Sequence, residues 1–222
     1  MKLTQSDVLV LVDADTQIKD KNFISKITGP IISKNADLTS VRVQELPATT
    51  FLEKTLDTSM KLKKYIFESI NNGDNIYTCH GRARAFSKNL YKKIKFQDSV
   101  TEDAYSYLYS IKNNFKYKFV SNTQIYYQLP TNMHDHENQS VRFIKSKKYL
   151  SAKFGEDFVI NAYRLPIGVT ILNLAKFLIN NPLELATYTL VFTLSNLKAR
   201  TKKTKATWEM STSSKKLRKV SV

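Results

Sequence analysis

Glycine, cysteine and acidic residues are the scarce components of this sequence. Five glycines stand among 222 residues, at Gly29, Gly73, Gly81, Gly155 and Gly168. No two fall in a G-x-G-x-x-G pattern and none opens a G-x-x-x-x-G-K loop, which excludes the glycine-rich dinucleotide and P-loop fingerprints. The one cysteine, Cys79, excludes a disulfide framework and a cysteine-built zinc cage, and fits a reducing compartment. Asp and Glu number 19 against 35 Lys and Arg, a formal charge of +16. Such a surface attracts anions: nucleic acid, nucleotide phosphates or acidic lipid headgroups. No recognised nucleic-acid module accompanies the charge, so nucleic acid is not the expected partner. The opening segment has a short apolar run, Val8–Val12, before Asp13. A signal peptide needs a longer one.

What is present is material for a core, with 42% hydrophobic and 11% aromatic residues. Residues 8–12, Val-Leu-Val-Leu-Val, are mostly β-branched and read as a strand buried on both faces of a parallel or mixed sheet. A short helix is predicted over 22–33, disturbed at Gly29-Pro30, and a strand over 39–43. Leu52, Leu56, Met60 and Phe67 mark a long amphipathic helix over 49–70, which Asn71-Asn72-Gly73 ends. A short strand is read at 76–79. Ser87 caps a helix over 88–94 and Thr101 one over 102–112. Strands follow near 117–120 and 124–128, then a helix from Pro130-Thr131 to about Lys153. Two apolar stretches, 165–179 and 183–197, are joined by Asn180-Asn181-Pro182 and followed by a lysine-rich tail with Trp208. Each is shorter than the roughly 20 residues that span a bilayer.

Three constellations carry chemistry. Asp13-x-Asp15 ends the apolar strand, where ligand sites of open α/β sheets lie. Paired carboxylates are hard donors suited to Mg²⁺ or Mn²⁺ bridged to phosphate; the plainer alternative is a solvated turn. Thr101-Glu102-Asp103 opens a helix. A carboxylate there is either a cap stabilised by the helix dipole or, facing a cleft, a general base. Gln139, Arg142 and Phe143 lie on the late helix. Gln139 and Arg142 share a face, so Arg142 can offer a planar fork to a diphosphate with Phe143 as an apolar wall.

In this order the three motifs resemble those of family 2 glycosyltransferases of the GT-A fold, the group that includes cellulose, chitin and hyaluronan synthases. That family reads D-x-D, then T-E-D, then Q-x-x-R-W; here Phe143 stands at the tryptophan. The segment Thr78-Cys79-His80-Gly81-Arg82-Ala83-Arg84-Ala85-Phe86 is similar to the family's glycine-containing acceptor-side strand. The resemblance implies an α/β, partial GT-A catalytic domain over 1–155 with a mixed sheet, a C-terminal apolar helical hairpin over 156–197 and a basic tail over 198–222. It implies that Asp13 and Asp15 hold a divalent Mg or Mn ion on a nucleotide-diphospho-sugar, UDP-linked. Asp103 becomes the base that deprotonates an acceptor hydroxyl for inverting transfer. Glu102, Gln139, Arg142, Phe143, Gly81 and Arg84 shape the donor and acceptor pockets. The acceptor is a carbohydrate or a lipid-linked group. Phe143 for tryptophan puts processive synthesis in question.

The resemblance also implies a nucleotide-binding half before the D-x-D strand. The chain therefore reads as a C-terminal part, with a partner chain supplying the rest and little activity alone. The hairpin and basic tail suggest the cytoplasmic face of a membrane with an anionic surface. His80, His134 and His136 are weaker ligand candidates, and Arg82 and Arg84 alternate onto one strand face where they can meet phosphate. A non-catalytic membrane-surface protein and a haloacid dehalogenase-like phosphatase are the alternatives. The second needs a threonine where Gln17 stands.

Overall fold

A computed structural model describes residues 6–96 and 101–201. The fold is α/β, with a mixed sheet of five strands and, among the described residues, eight α-helices. The strands are β1 (Val8–Val12), β2 (Thr16–Gln17), β3 (Leu38–Glu45), β4 (Ala83–Ser87) and β5 (Tyr117–Tyr127). The helices are α1 (Phe23–Ile32), α2 (Phe51–Ser69), α3 (Lys88–Lys93), α4 (Glu102–Lys112), α5 (Met133–Phe154), α6 (Glu156–Ala162), α7 (Ile167–Asn180) and α8 (Pro182–Thr201). The sheet order is β1-β4-β3-β5-β2. β4 runs antiparallel to both β1 and β3, whereas β3 and β5 are parallel. Three strands therefore share one direction, and their carboxyl ends come out at Asp13, Glu45 and Tyr127.

Strand alternation divides the apolar side chains between the two faces. Val8, Val10, Ala83, Ala85, Val41 and Val43 pack with Phe23, Ile27 and Ile31 of α1. Leu9, Leu11, Leu38 and Phe86 face the other way, onto Leu90 of α3, Tyr105 and Leu108 of α4, and Leu150 of α5. That second core continues past residue 155: Val159 of α6 is fully buried in it. β1 departs from its sequence reading in one respect. It lies at the sheet edge, so Val8 to Leu11 are half-buried and Val12 is exposed.

Capping explains most element starts. Thr50 accepts from Glu53 N while the Glu53 carboxylate takes Thr50 N at 2.9 Å, a reciprocal box that starts α2. Ser87 accepts from Leu90 N, and Asn132 accepts from Asp135 N, one residue beyond the start predicted from Pro130-Thr131. Pro30 lies inside α1 without interrupting it; it sits in the last turns, where its missing N–H removes a single bond. Asn71, Asn72 and Gly73 all have positive φ and reverse the chain after α2. Segment 76–79 forms turns rather than a strand, because Asn75 and Thr78 side chains capture the local backbone. The two strands read near 117–120 and 124–128 are one strand with a register shift, where Val41 pairs Val120 but Arg42 pairs Gln124.

The C-terminal apolar stretches are α7 and α8, both lying against α2, with α8 also on α5. No residue of α7 is fully buried. No single described helix is long and apolar enough to cross a membrane, though α6 and α7 together, bent by 42°, reach the length and composition. Lys202 onward, with Trp208, lies outside the described residues.

Candidate active site

The site grows from the strand ends. Asp13 follows β1, and its N–H donates to Arg82 O at 2.9 Å, which fixes it beside the start of β4. The chain then turns through Ala14 and Asp15, with Thr16 Oγ1 donating to Asp13 O at 2.6 Å. Thr16 pairs with Tyr127 at the end of β5. The D-x-D loop thus runs from one edge strand, past the ends of β4 and β3, to β5. Asp13 is exposed and Asp15 half-buried. Among the described residues no three His, Cys, Asp or Glu side chains form a metal cluster. Neither His134 nor His136 joins the aspartates in one. His134 is exposed with Nδ1 3.7 Å from Asp135 Oδ1, and His136 has its pKa lowered by burial and by Lys63 of α2.

Asp103 occupies the first turn of α4 and is half-buried. Its Oδ1 accepts from Thr101 Oγ1 at 2.6 Å and from Ala104 N at 2.8 Å. Thr101 is the N-cap residue but makes no side-chain cap bond; its hydroxyl holds the aspartate instead. The side chain lies alongside Gly81, where an added Cβ would meet Asp103 Cβ and Oδ2, each at 3.7 Å. Gly81 itself thus brings no side chain against that oxygen. Cys79 Sγ donates to Asp103 O at 3.6 Å, and burial pushes this thiol up to about 12. His80 is brought down to about 4, by burial first and then by Arg82 and Lys64. It is a neutral imidazole at physiological pH.

Arg82 and Arg84 separate. Arg84 is 3% exposed; its Nη1 donates to Glu102 O and to Ser106 Oγ, both at 2.7 Å. The guanidinium therefore anchors the start of α4 from inside, a different position from the phosphate-facing one read from strand alternation. Glu102 itself points outward, with its side chain 57% exposed. Arg82 lies with its guanidinium carbon 3.5 Å from the centroid of the Tyr127 ring. Tyr127 Oη donates to Glu45 Oε1 at 2.8 Å, and Lys64 Nζ meets Glu45 Oε2 at 2.5 Å. A shallow cleft lies beside this group between α2 and the sheet, lined by Arg42, Lys63, Lys64, Phe67, Thr78 and His80 among others.

On α5, Gln139 is half-buried and Phe143 is 59% exposed. Arg142 lies between them in the helix. Phe143 meets Tyr163 edge-on at 6.3 Å, Tyr163 meets Tyr77 at 5.5 Å, and Tyr77 stacks on Phe67 at 4.2 Å. Burial raises the pKa of Tyr163, and the charge of Asp103 raises it further. This aromatic row therefore comes within electrostatic reach of Asp103. The sequence reading missed Glu45, Lys64 and Tyr127. The rule that pointed to Asp13, the carboxyl end of a strand, would have found Glu45 and Tyr127 had it been applied to β3 and β5 as well.

The chain matches no family model, and no curated protein matches it significantly.

Proposed function

We propose that the chain is part of an inverting glycosyltransferase, moving a sugar from a UDP-linked nucleotide-diphospho-sugar to a hydroxyl of a carbohydrate or lipid-linked acceptor. The observation that carries this is the orientation of Asp103. One oxygen is anchored by two donors, and the side chain lies alongside Gly81, which brings no side chain against it. His80 feels the charges of both Asp103 and Arg82, and Arg82 O holds Asp13 of the D-x-D loop. The order D-x-D, T-E-D, Q-x-x-R-F supports it through the resemblance to family 2 transferases. In this reading Asp103 Oδ2 takes the acceptor proton. The acceptor oxygen bonds to the anomeric carbon from the face opposite the diphosphate, and the C–O bond to that diphosphate breaks, its electron pair leaving with the phosphate oxygen. Configuration is thereby inverted. The aromatic row from Phe143 to Phe67 offers faces and edges along which a sugar acceptor can lie.

Asp13 and Asp15 suit a divalent Mg or Mn ion. They are two hard carboxylates without a third protein ligand among the described residues, and such ions complete their shell with water and phosphate oxygens. When bound, that ion offsets charge on the departing diphosphate. The test is UDP release from UDP-sugars with and without Mn²⁺. Asp15→Ala is expected to abolish metal-dependent release while the melting temperature stays put. Unchanged release removes the metal role, and release of phosphate from simple phosphomonoesters supports the phosphatase alternative instead.

The reading extends to location. Ile167, Ile171, Ile179 and Leu183 are each more than 60% exposed on α7 and α8. Lys176 lies among them, and the chain beyond carries Lys198, Arg200, Lys202, Lys203 and Lys205. An apolar face flanked by cations fits the interface of an anionic membrane.

A further inference from the structure

Arg82 stands apart from the other cations around the site. Arg84 has Glu102 O and Ser106 Oγ, Arg42 has a two-pronged pair with Glu68 at 2.8 and 2.6 Å, and Lys64 has Glu45. The guanidinium of Arg82 has the face of Tyr127, and among the described residues no carboxylate or carbonyl accepts from its N–H groups. Stacking by the face leaves the N–H edges of a guanidinium open in its own plane, which is the geometry that grips phosphate oxygens in pairs. The platform is itself fixed. Tyr127 is 4% exposed, its hydroxyl is tied to Glu45, and Glu45 is balanced by Lys64. Glu45 is thereby neutralised without Arg82, so the arginine charge stays available.

The position is equally specific. Arg82 O holds Asp13 N, and the ring beneath its guanidinium belongs to the residue paired with Thr16, which follows Asp15. We propose that Arg82 is an anion-binding residue of this site, taking two oxygens of a diphosphate group that sits over the Asp13-x-Asp15 loop. Tyr127 and Glu45 are its positioning residues. The assignment rests on reading the site as one for a nucleoside diphosphate, and it replaces Arg84 in that role.

The test uses the full chain with inorganic pyrophosphate as probe, titrated calorimetrically at low ionic strength with Mg²⁺ and again with EDTA. Arg82→Gln is expected to weaken binding at least tenfold in both. Arg82→Lys, which keeps the charge but loses the planar fork, is expected to fall between. Lys116→Gln removes the same charge at an exposed site at the opposite, amino end of β5 and is expected to bind as the parent does. Parent-like binding by Arg82→Gln overturns the proposal. So does an equal loss in Lys116→Gln, which would make binding a matter of net charge, and so does absence of binding by the parent. Turnover separates the two readings. Arg82-dependent pyrophosphate binding without any UDP-sugar turnover retains the anion site and removes the transferase. Full UDP-sugar turnover in Arg82→Gln retains the transferase and removes Arg82.

Discussion

Replacing Asp103 by asparagine tests the central residue with little disturbance to the fold. The Oδ1 of the carboxylate accepts from Thr101 Oγ1 and Ala104 N, and an asparagine oxygen can accept both. The amide NH₂ then takes the place of Oδ2 alongside Gly81, so an acceptor becomes a donor. The structural cost is the loss of one negative charge from the first turn of α4, about 0.3–1 kcal/mol. That corresponds to a fall of about 4 °C or less in melting temperature for a chain of this size. The catalytic cost is that of a positioned base, about 10²–10⁴ in rate, or about 3–5 kcal/mol in barrier height. The assay is UDP release from a UDP-sugar, with UDP affinity and thermal melting measured on the same preparation. The expected pattern is a large loss of turnover with affinity and melting temperature nearly unchanged. Turnover near the parent's leaves Asp103 as a helix cap and refutes the base. A melting temperature lowered by some 10 °C or more refutes the structural half of the reasoning.

Gly73 has φ +84°, and an added Cβ would lie 2.3 Å from Phe119 Cδ1. Gly73→Ala should therefore lose about 2–4 kcal/mol of stability, from backbone strain and overpacking together, read by urea unfolding; a loss under half a kcal/mol would contradict the turn geometry. The pH dependence follows from His80, whose pKa falls from 6.5 to about 4 on folding. As pH drops from 6.5 to 4 the unfolded chain binds the proton first, so stability declines across that window and His80 adds no further loss below it. His80→Gln should flatten this stretch, whereas Asp20, held at about 2 chiefly by Lys26, acts only between 3.8 and 2. For the membrane surface, the chain should float with anionic vesicles at low salt, and Ile171→Ser with Ile179→Ser should leave it at the bottom. A parent chain that stays at the bottom removes the proposal.

Local chemistry made much of the element pattern legible: the Ser87 cap and the Asn71-Asn72-Gly73 reversal both act within a few residues of themselves, whereas the Thr50 box that starts α2 went unread. The D-x-D loop and the start of α4 could likewise be placed from the strand and cap signals beside them. What the sequence hid depends on pairing across the sheet. Nothing local says that Tyr127 will lie under Arg82, because that contact joins β5 to the turn before β4. Alternation puts Arg82 and Arg84 on one strand face, but β4 begins at Ala83, so Arg82 lies in the turn before it. Their different partners come from α4 on one side and β5 on the other. Segment 76–79 looked like a strand because Ile76, Tyr77 and Cys79 are apolar. The side-chain bonds of Asn75 and Thr78 to nearby carbonyls override that pattern.

The open edge of β1 leads to the last prediction. In the pairing with β4, Asp13 N bonds Arg82 O and Lys88 N bonds Asp7 O. Antiparallel ladders alternate bonded and non-bonded pairs, so the odd-numbered residues of β1 face β4 and the N–H and C=O groups of Val8, Val10 and Val12 face outward. Among the described residues no strand meets them. Natural edges are blunted by charge, proline or a bulge, yet Val8–Val12 has none of these. An apolar, unblunted edge beside the D-x-D loop is open to pairing with a strand of another chain. In the absence of a partner the same edge should pair with a second copy. Sedimentation should then show concentration-dependent association. Val12→Pro removes an outward N–H and leaves the β4 ladder intact, and should leave the chain monomeric with little change in melting temperature. A parent chain that stays monomeric at every concentration tested, or a Val12→Pro chain that associates as strongly as the parent, would show that this edge is closed by other means.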